Sequence, residues 1–146
     1  HGRVLRWDVR PAPDLTPFFR RGGKLLLYVG WNDYHHPGDL MGWHDALLAN
    51  AKAAGVDASG ALRLFALPGM DHCQGGAGCD TFDKLGLMDG WADGGVAPDS
   101  FVAHKWADGA VVRQARICAY PRVATHDGAG AMDRADSFAC KMPGAQ

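Results

Sequence analysis

Two stretches of the chain are apolar almost without interruption. The first begins at Lys24, runs through Leu25, Leu26, Leu27, Tyr28 and Val29 after Gly22-Gly23, and stops at Gly30; the second is Leu62–Leu67, stopped by Pro68-Gly69. Short runs without polar alternation predict strands buried on both faces. Between them, Leu40, Trp43, Leu47, Leu48, Ala51 and Ala54 recur at three- and four-residue spacings. This predicts a helix over Asp39–Ala54, opened by the Pro37-Gly38 break and ended by Gly55 as its C-cap, with Asp39 suited to the N-cap. A second helix is expected from Asp80 or Thr81 to about Asp93, beyond a Gly-rich loop. Strand, loop, helix, strand, loop, helix predicts an α/β fold built of βα units in a mostly parallel sheet, with its chemistry in the loops at the strand C-terminal ends. Those loops are 30–38 and 68–79. The tail after Pro121 turns polar and Gly-rich and is expected to be irregular.

Composition narrows the partners. With 146 residues, 47% hydrophobic and 21% charged, the chain can bury one core and is read as one domain or part of one. A formal net charge of −1 offers no footprint for nucleic acid or an anionic membrane. No apolar run approaches the roughly 18 residues of a membrane span, and the opening HGRVLRWDVRPAP lacks the basic-then-apolar order of a signal peptide. That opening has neither an initiator Met nor a clear period, so an internal stretch of a longer chain is expected. The 4 cysteines allow three paired connectivities, and the count alone leaves metal ligation and plain burial open.

The first loop reads Gly30-Trp31-Asn32-Asp33-Tyr34-His35-His36-Pro37-Gly38-Asp39, and the second Pro68-Gly69-Met70-Asp71-His72-Cys73-Gln74-Gly75-Gly76. An acid after one strand and a histidine after the next is the order of the last two members of a serine-hydrolase triad on an α/β-hydrolase sheet. The carboxylate would fix the imidazole tautomer and stabilise the imidazolium that forms. Asp33 and Asp39 compete as the acid; the helix-cap role of Asp39 leaves Asp33 the better candidate. Asp71 has the alternative role of holding its own turn.

The segments GGKLLLYVGWND, RLFALPGMDHCQGG and TFDKLGLMDGWADGGVAPDS, with the tail RICAYPRVA and the later SFAC, resemble in order and spacing the C-terminal part of the tannase and feruloyl esterase family. The resemblance runs from about Asp14 to Cys140 and implies an α/β-hydrolase fold. It also implies a secreted or periplasmic serine esterase working through an acyl-enzyme on aromatic acid esters such as feruloyl or galloyl esters, or hydroxyethyl esters of terephthalate. Carried over, His72 is the base and Asp33 the acid that orients it. Cys118 and Cys140 form a disulfide closing the tail, which adds on the order of 3 kcal/mol, and Cys73 is bridged to a cysteine beside the nucleophile, upstream of His1. Without that partner the loop carrying His72 loses a tether and His72 is expected to be mobile. Ser59, Ser100 and Ser137 are the only serines, and none sits in a G-x-S-x-G elbow. The nucleophile, the lid and the calcium the lid often carries therefore belong to an N-terminal part not contained here, and this chain alone is expected to be inactive. It departs from the family at Val29, where a histidine is usual, and at Cys79, which is free to pair with Cys73, to stay reduced or to find another partner.

Two other readings compete. A metal site could draw on His35, His36, Asp39, His44, His72, Cys73 and Cys79, but no H-x-x-x-H or C-x-x-C spacing supports it. A module binding an aromatic or carbohydrate ligand could use some of the 5 tryptophans. Trp31, beside Asp33, and His35 are the candidates for touching substrate, whereas Trp43, Trp91 and Trp106 suit core positions.

Overall fold

The computed structural model describes residues 14–144; the opening read above as an internal stretch lies outside them. The chain forms α1 (Thr16–Arg20), β1 (Leu25–Gly30), α2 (Pro37–Ala53), β2 (Leu62–Leu67), α3 (Lys84–Gly94), β3 (Ser100–Ala107), β4 (Ala110–Cys118), β5 (Val123–His126), a 3-10 turn (Ala135–Ser137) and β6 (Phe138–Lys141). Among the described residues no helix is long and apolar enough to cross a membrane.

The two apolar runs pair in parallel, Leu25 opposite Leu62 through Gly30 opposite Leu67, with α2 as the crossover. Their faces go to different cores, which is why neither run alternates. Leu25, Leu27 and Leu62 pack with Phe19, Leu47 and Ala51 beneath α1 and α2. Leu26, Tyr28, Phe65 and Leu67 meet Met70, Phe82, Phe101 and Ile117 on the other side.

The helix over α2 starts two residues earlier than the periodicity predicts. Pro37 takes the first helical position and the His36 ring, not Asp39, caps the helix, its Nδ1 accepting from Gly38 N–H at 3.1 Å. At the far end Gly55 is left-handed at φ 73°, Val56 N–H reaches Ala51 O and Gly55 N–H reaches Lys52 O, a Schellman stop. The second predicted helix begins later than expected. Asp80 is occupied by Gly75 N–H and Lys105, and Thr81 pairs with His104, so the cap passes to Asp83, which accepts from Gly86 N–H at 2.8 Å.

Residues 100–118 form an antiparallel hairpin. Its turn, Asp108-Gly109, has both φ values positive, at 50° and 78°, as a type I′ turn requires. The tail is not irregular throughout: β5 and β6 pair antiparallel, Val123 opposite Lys141 through His126 opposite Phe138. Trp91 is buried and Trp43 half-buried as expected, whereas Trp106 is exposed near the hairpin tip.

Candidate functional site

Both loops leave the parallel pair at the same edge and are stitched to each other. Trp31 N–H donates to Leu67 O and Asn32 N–H to Met70 O, each at 3.0 Å. This close approach requires Gly30, because a Cβ there would run into the Met70 and Asp71 carbonyl oxygens. The second loop folds back on itself through a Met70–Gly76 bridge and Gly78 N–H to Gly69 O. The hairpin clamps it from outside: Lys105 Nζ donates to Gly76 O at 2.8 Å and Arg113 to Ala77 O. Hydrogen bonds from two strands of the hairpin thus brace the loop that carries His72.

Within this frame Asp33 Oδ2 lies 2.9 Å from His72 Nδ1. The Asp33 side chain is only 4% exposed and that of His72 is 51% exposed, so the acid is enclosed and the imidazole reaches solvent. Burial pushes the Asp33 carboxyl up. The backbone N–H of His35, donating to Oδ1 at 2.8 Å, and the His72 ring more than offset this, and the group is held below its ordinary value. With Nδ1 facing the carboxylate, His72 turns Nε2 outward, the arrangement that lets an imidazole accept a proton. His35 stacks on His72, centroids 5.3 Å apart, and Tyr34 lies 4.7 Å from the same ring.

The remaining candidates scatter. Trp31 is half-exposed but lines a groove of about 320 Å³ with Met41, Pro68, Tyr120 and Arg122. Asp39 sits in the first turn of α2 and bonds neither histidine of the dyad loops. His44 is buried, its Nδ1 2.9 Å from Asp45, whose carboxylate also accepts from the Tyr120 hydroxyl. Of the metal candidates His35, His36, Asp39, His44, His72, Cys73 and Cys79, the structure brings together His35 and His72, and among the described residues the three-donor group is these two with Asp33. Two imidazoles and one carboxylate do not fit calcium, which takes oxygen ligands.

Cys118 and Cys140 are bonded, with Cα atoms 5.7 Å apart. Among the described residues neither Cys73, exposed and at φ 63°, nor the buried Cys79 is bonded to another cysteine. The hairpin was missed by periodicity, although Asp108-Gly109 between apolar strands was a usable signal; with it went Lys105 and Arg113, which hold the His72 loop.

The family model for tannase and feruloyl esterase matches residues 10–141. The chain belongs to that family. It is 36% identical over 145 residues to the mono(2-hydroxyethyl) terephthalate hydrolase of Piscinibacter sakaiensis, covering 95% of this chain and 23% of that protein. Against feruloyl esterase B of Aspergillus niger the identity is 29%, covering 88% of this chain and 28% of the relative. The crystal structure of feruloyl esterase B from Aspergillus oryzae superposes with a TM-score of 0.75 at 25% identity, over 88% of this chain and 28% of that one. The chain therefore spans about a quarter of the length of these relatives.

Proposed function

We propose that this chain supplies the acid and the base of a serine carboxylesterase acting on esters of aromatic acids, feruloyl, galloyl or hydroxyethyl terephthalate esters among them. The observation that carries the reading is the enclosed Asp33 carboxylate 2.9 Å from the Nδ1 of a solvent-facing His72, at the ends of two adjacent parallel strands. In it, His72 Nε2 takes the proton of a serine hydroxyl as the serine attacks the ester carbonyl, and returns it to the leaving alkoxide. Water then repeats the transfer to release the acid from the acyl-enzyme. Asp33 keeps the tautomer and stabilises the transient imidazolium. The serine comes from outside this chain, since Ser59 lies in a turn made by Asp57, Ser100 on β3 and Ser137 buried in the 3-10 turn. Two parallel strands joined through α2 suit the last βα units of a larger, mostly parallel hydrolase sheet. A bonded Cys118–Cys140 pair favours an oxidising, secreted or periplasmic setting, and the substrate is a small molecule.

The test is hydrolysis of methyl ferulate, methyl gallate and mono(2-hydroxyethyl) terephthalate by the naturally expressed protein. His72→Ala should abolish turnover, and Asp33→Asn should lower kcat by about 10⁴-fold, because an amide favours the wrong tautomer. Undiminished hydrolysis by His72→Ala would sink the assignment.

A further inference from the structure

The Asp33 carboxylate faces two imidazoles, of which ester hydrolysis needs one. Oδ2 lies 2.9 Å from His72 Nδ1 and Oδ1 lies 3.4 Å from His35 Nδ1, while the two rings are within 25° of parallel. One donor atom from each of Asp33, His35 and His72 falls within 4.8 Å of the others. We propose that these three residues form a site for a divalent transition metal of the zinc class, and that the bound metal silences the acid–base pair. The site stands on this geometry alone; the silencing rests on the hydrolase reading.

Two imidazole nitrogens and a carboxylate oxygen suit zinc, nickel or copper rather than magnesium or calcium. A tetrahedral zinc with ligands at about 2.0–2.1 Å sets its donors roughly 3.3 Å apart, and the separations of 2.9 and 3.4 Å already straddle that value. The remaining closure needs only ring rotations. Among the described residues the His35 and His72 side chains are 65% and 51% exposed, so neither ring is packed into this chain's own cores. Asp33 is the fixed member, enclosed and held by the His35 N–H. The two loops are already joined at Asn32 N–H to Met70 O, which keeps the third ligand opposite the first two. Exposure leaves a fourth coordination position to water. Of the neighbouring donors, His36 Nδ1 caps α2, His44 is buried against Asp45 and Cys79 is buried, while Cys73 lies outside the three-donor group.

Coordination through Nδ1 changes the chemistry of His72 at its other nitrogen. The imidazole binds as a neutral ligand, so the proton that faced Asp33 leaves Nδ1 and the ring carries its proton on Nε2. Nε2–H cannot accept a proton from a hydroxyl. The metal therefore removes the base function and the orienting hydrogen bond in one event, and a chelator restores both.

Cobalt(II) serves as a visible stand-in for zinc, titrated into the naturally expressed protein after chelator treatment. One cobalt per chain with tetrahedral absorption, displaced by zinc, is expected. His35→Gln and His72→Gln should each weaken binding by more than about tenfold, with unchanged circular dichroism because both side chains are exposed. Cobalt held as tightly by His35→Gln as by the parent protein overturns the site. Ester hydrolysis in a chelator selective for transition metals that spares calcium, and then in zinc, separates the two readings. Hydrolysis that zinc leaves untouched overturns the silencing and keeps the hydrolase; cobalt binding lost in both variants, with no hydrolysis even in chelator, keeps the site and removes the hydrolase.

Discussion

Cys73 and Cys79 lie in one loop and have opposite chemical fates. Cys73 stands at the exposed turn beside His72, whereas Cys79 is folded under the hairpin with its thiol 3.7 Å from Arg113 O. Burial pushes the Cys79 thiol above its ordinary 9.0; Arg113 pulls against this and Asp80 adds to it. Iodoacetamide at mildly alkaline pH should spare Cys79 in the native protein until denaturant is added, as read by peptide mass spectrometry. Labelling without denaturant would mean that the loop does not hold Cys79 inside. The sequence left three fates open for Cys79, because spacing along a chain does not say where a loop doubles back. The sequence preferred Asp33 to Asp39 because a helix start had a use for the latter. In the structure His36 caps α2 and Asp39 sits in its first turn, while Asp33 is the carboxylate set against His72.

At the scale of elements, continuous apolar runs and a three-and-four spacing were sufficient for β1, β2 and α2. They are decided by burial on two faces and one, which pattern reports directly. The hairpin was not legible by the same means, because β4 is exposed over Ala110–Arg113 and its apolar residues alternate with nothing that marks an inner face. The start of α3 depended on Asp80 being taken by Gly75 and Lys105, partners distant from any helix signal. The crossing of the two loops hangs on Gly30. Gly30→Ala forces a methyl against two backbone carbonyls that cannot rotate away, and a loss of about 1–3 kcal/mol is expected in urea denaturation. Hydrolysis should fall as well, because separating Asn32 from Met70 separates Asp33 from His72. A variant as stable as the parent would show that the strand ends stand further apart.

For the molecule as a whole, Tyr120 joins the tail to α2 through its bond to Asp45. Burial raises its phenol above the ordinary 10.0, and the hydrogen bond donated to Asp45 adds to the rise. A raised folded value means that the neutral phenol is the form the fold prefers. The contribution is fully present below pH 10.0 and is lost as pH climbs through the raised value. Stability should therefore decline more steeply above that pH in the parent than in Tyr120→Phe; parallel declines in denaturation midpoints would count against the contact. Replacing Cys118 and Cys140 together by alanine removes a link across 22 positions and should cost on the order of 3 kcal/mol, read from thermal unfolding.

That link reaches further than the tail it closes. Cys118 ends β4, and the same strand carries Arg113, whose guanidinium holds Ala77 in the loop of His72, while its partner strand carries Lys105, which holds Gly76. Cutting the Cys118–Cys140 bond is therefore expected to loosen, from behind, the strand that holds the His72 loop.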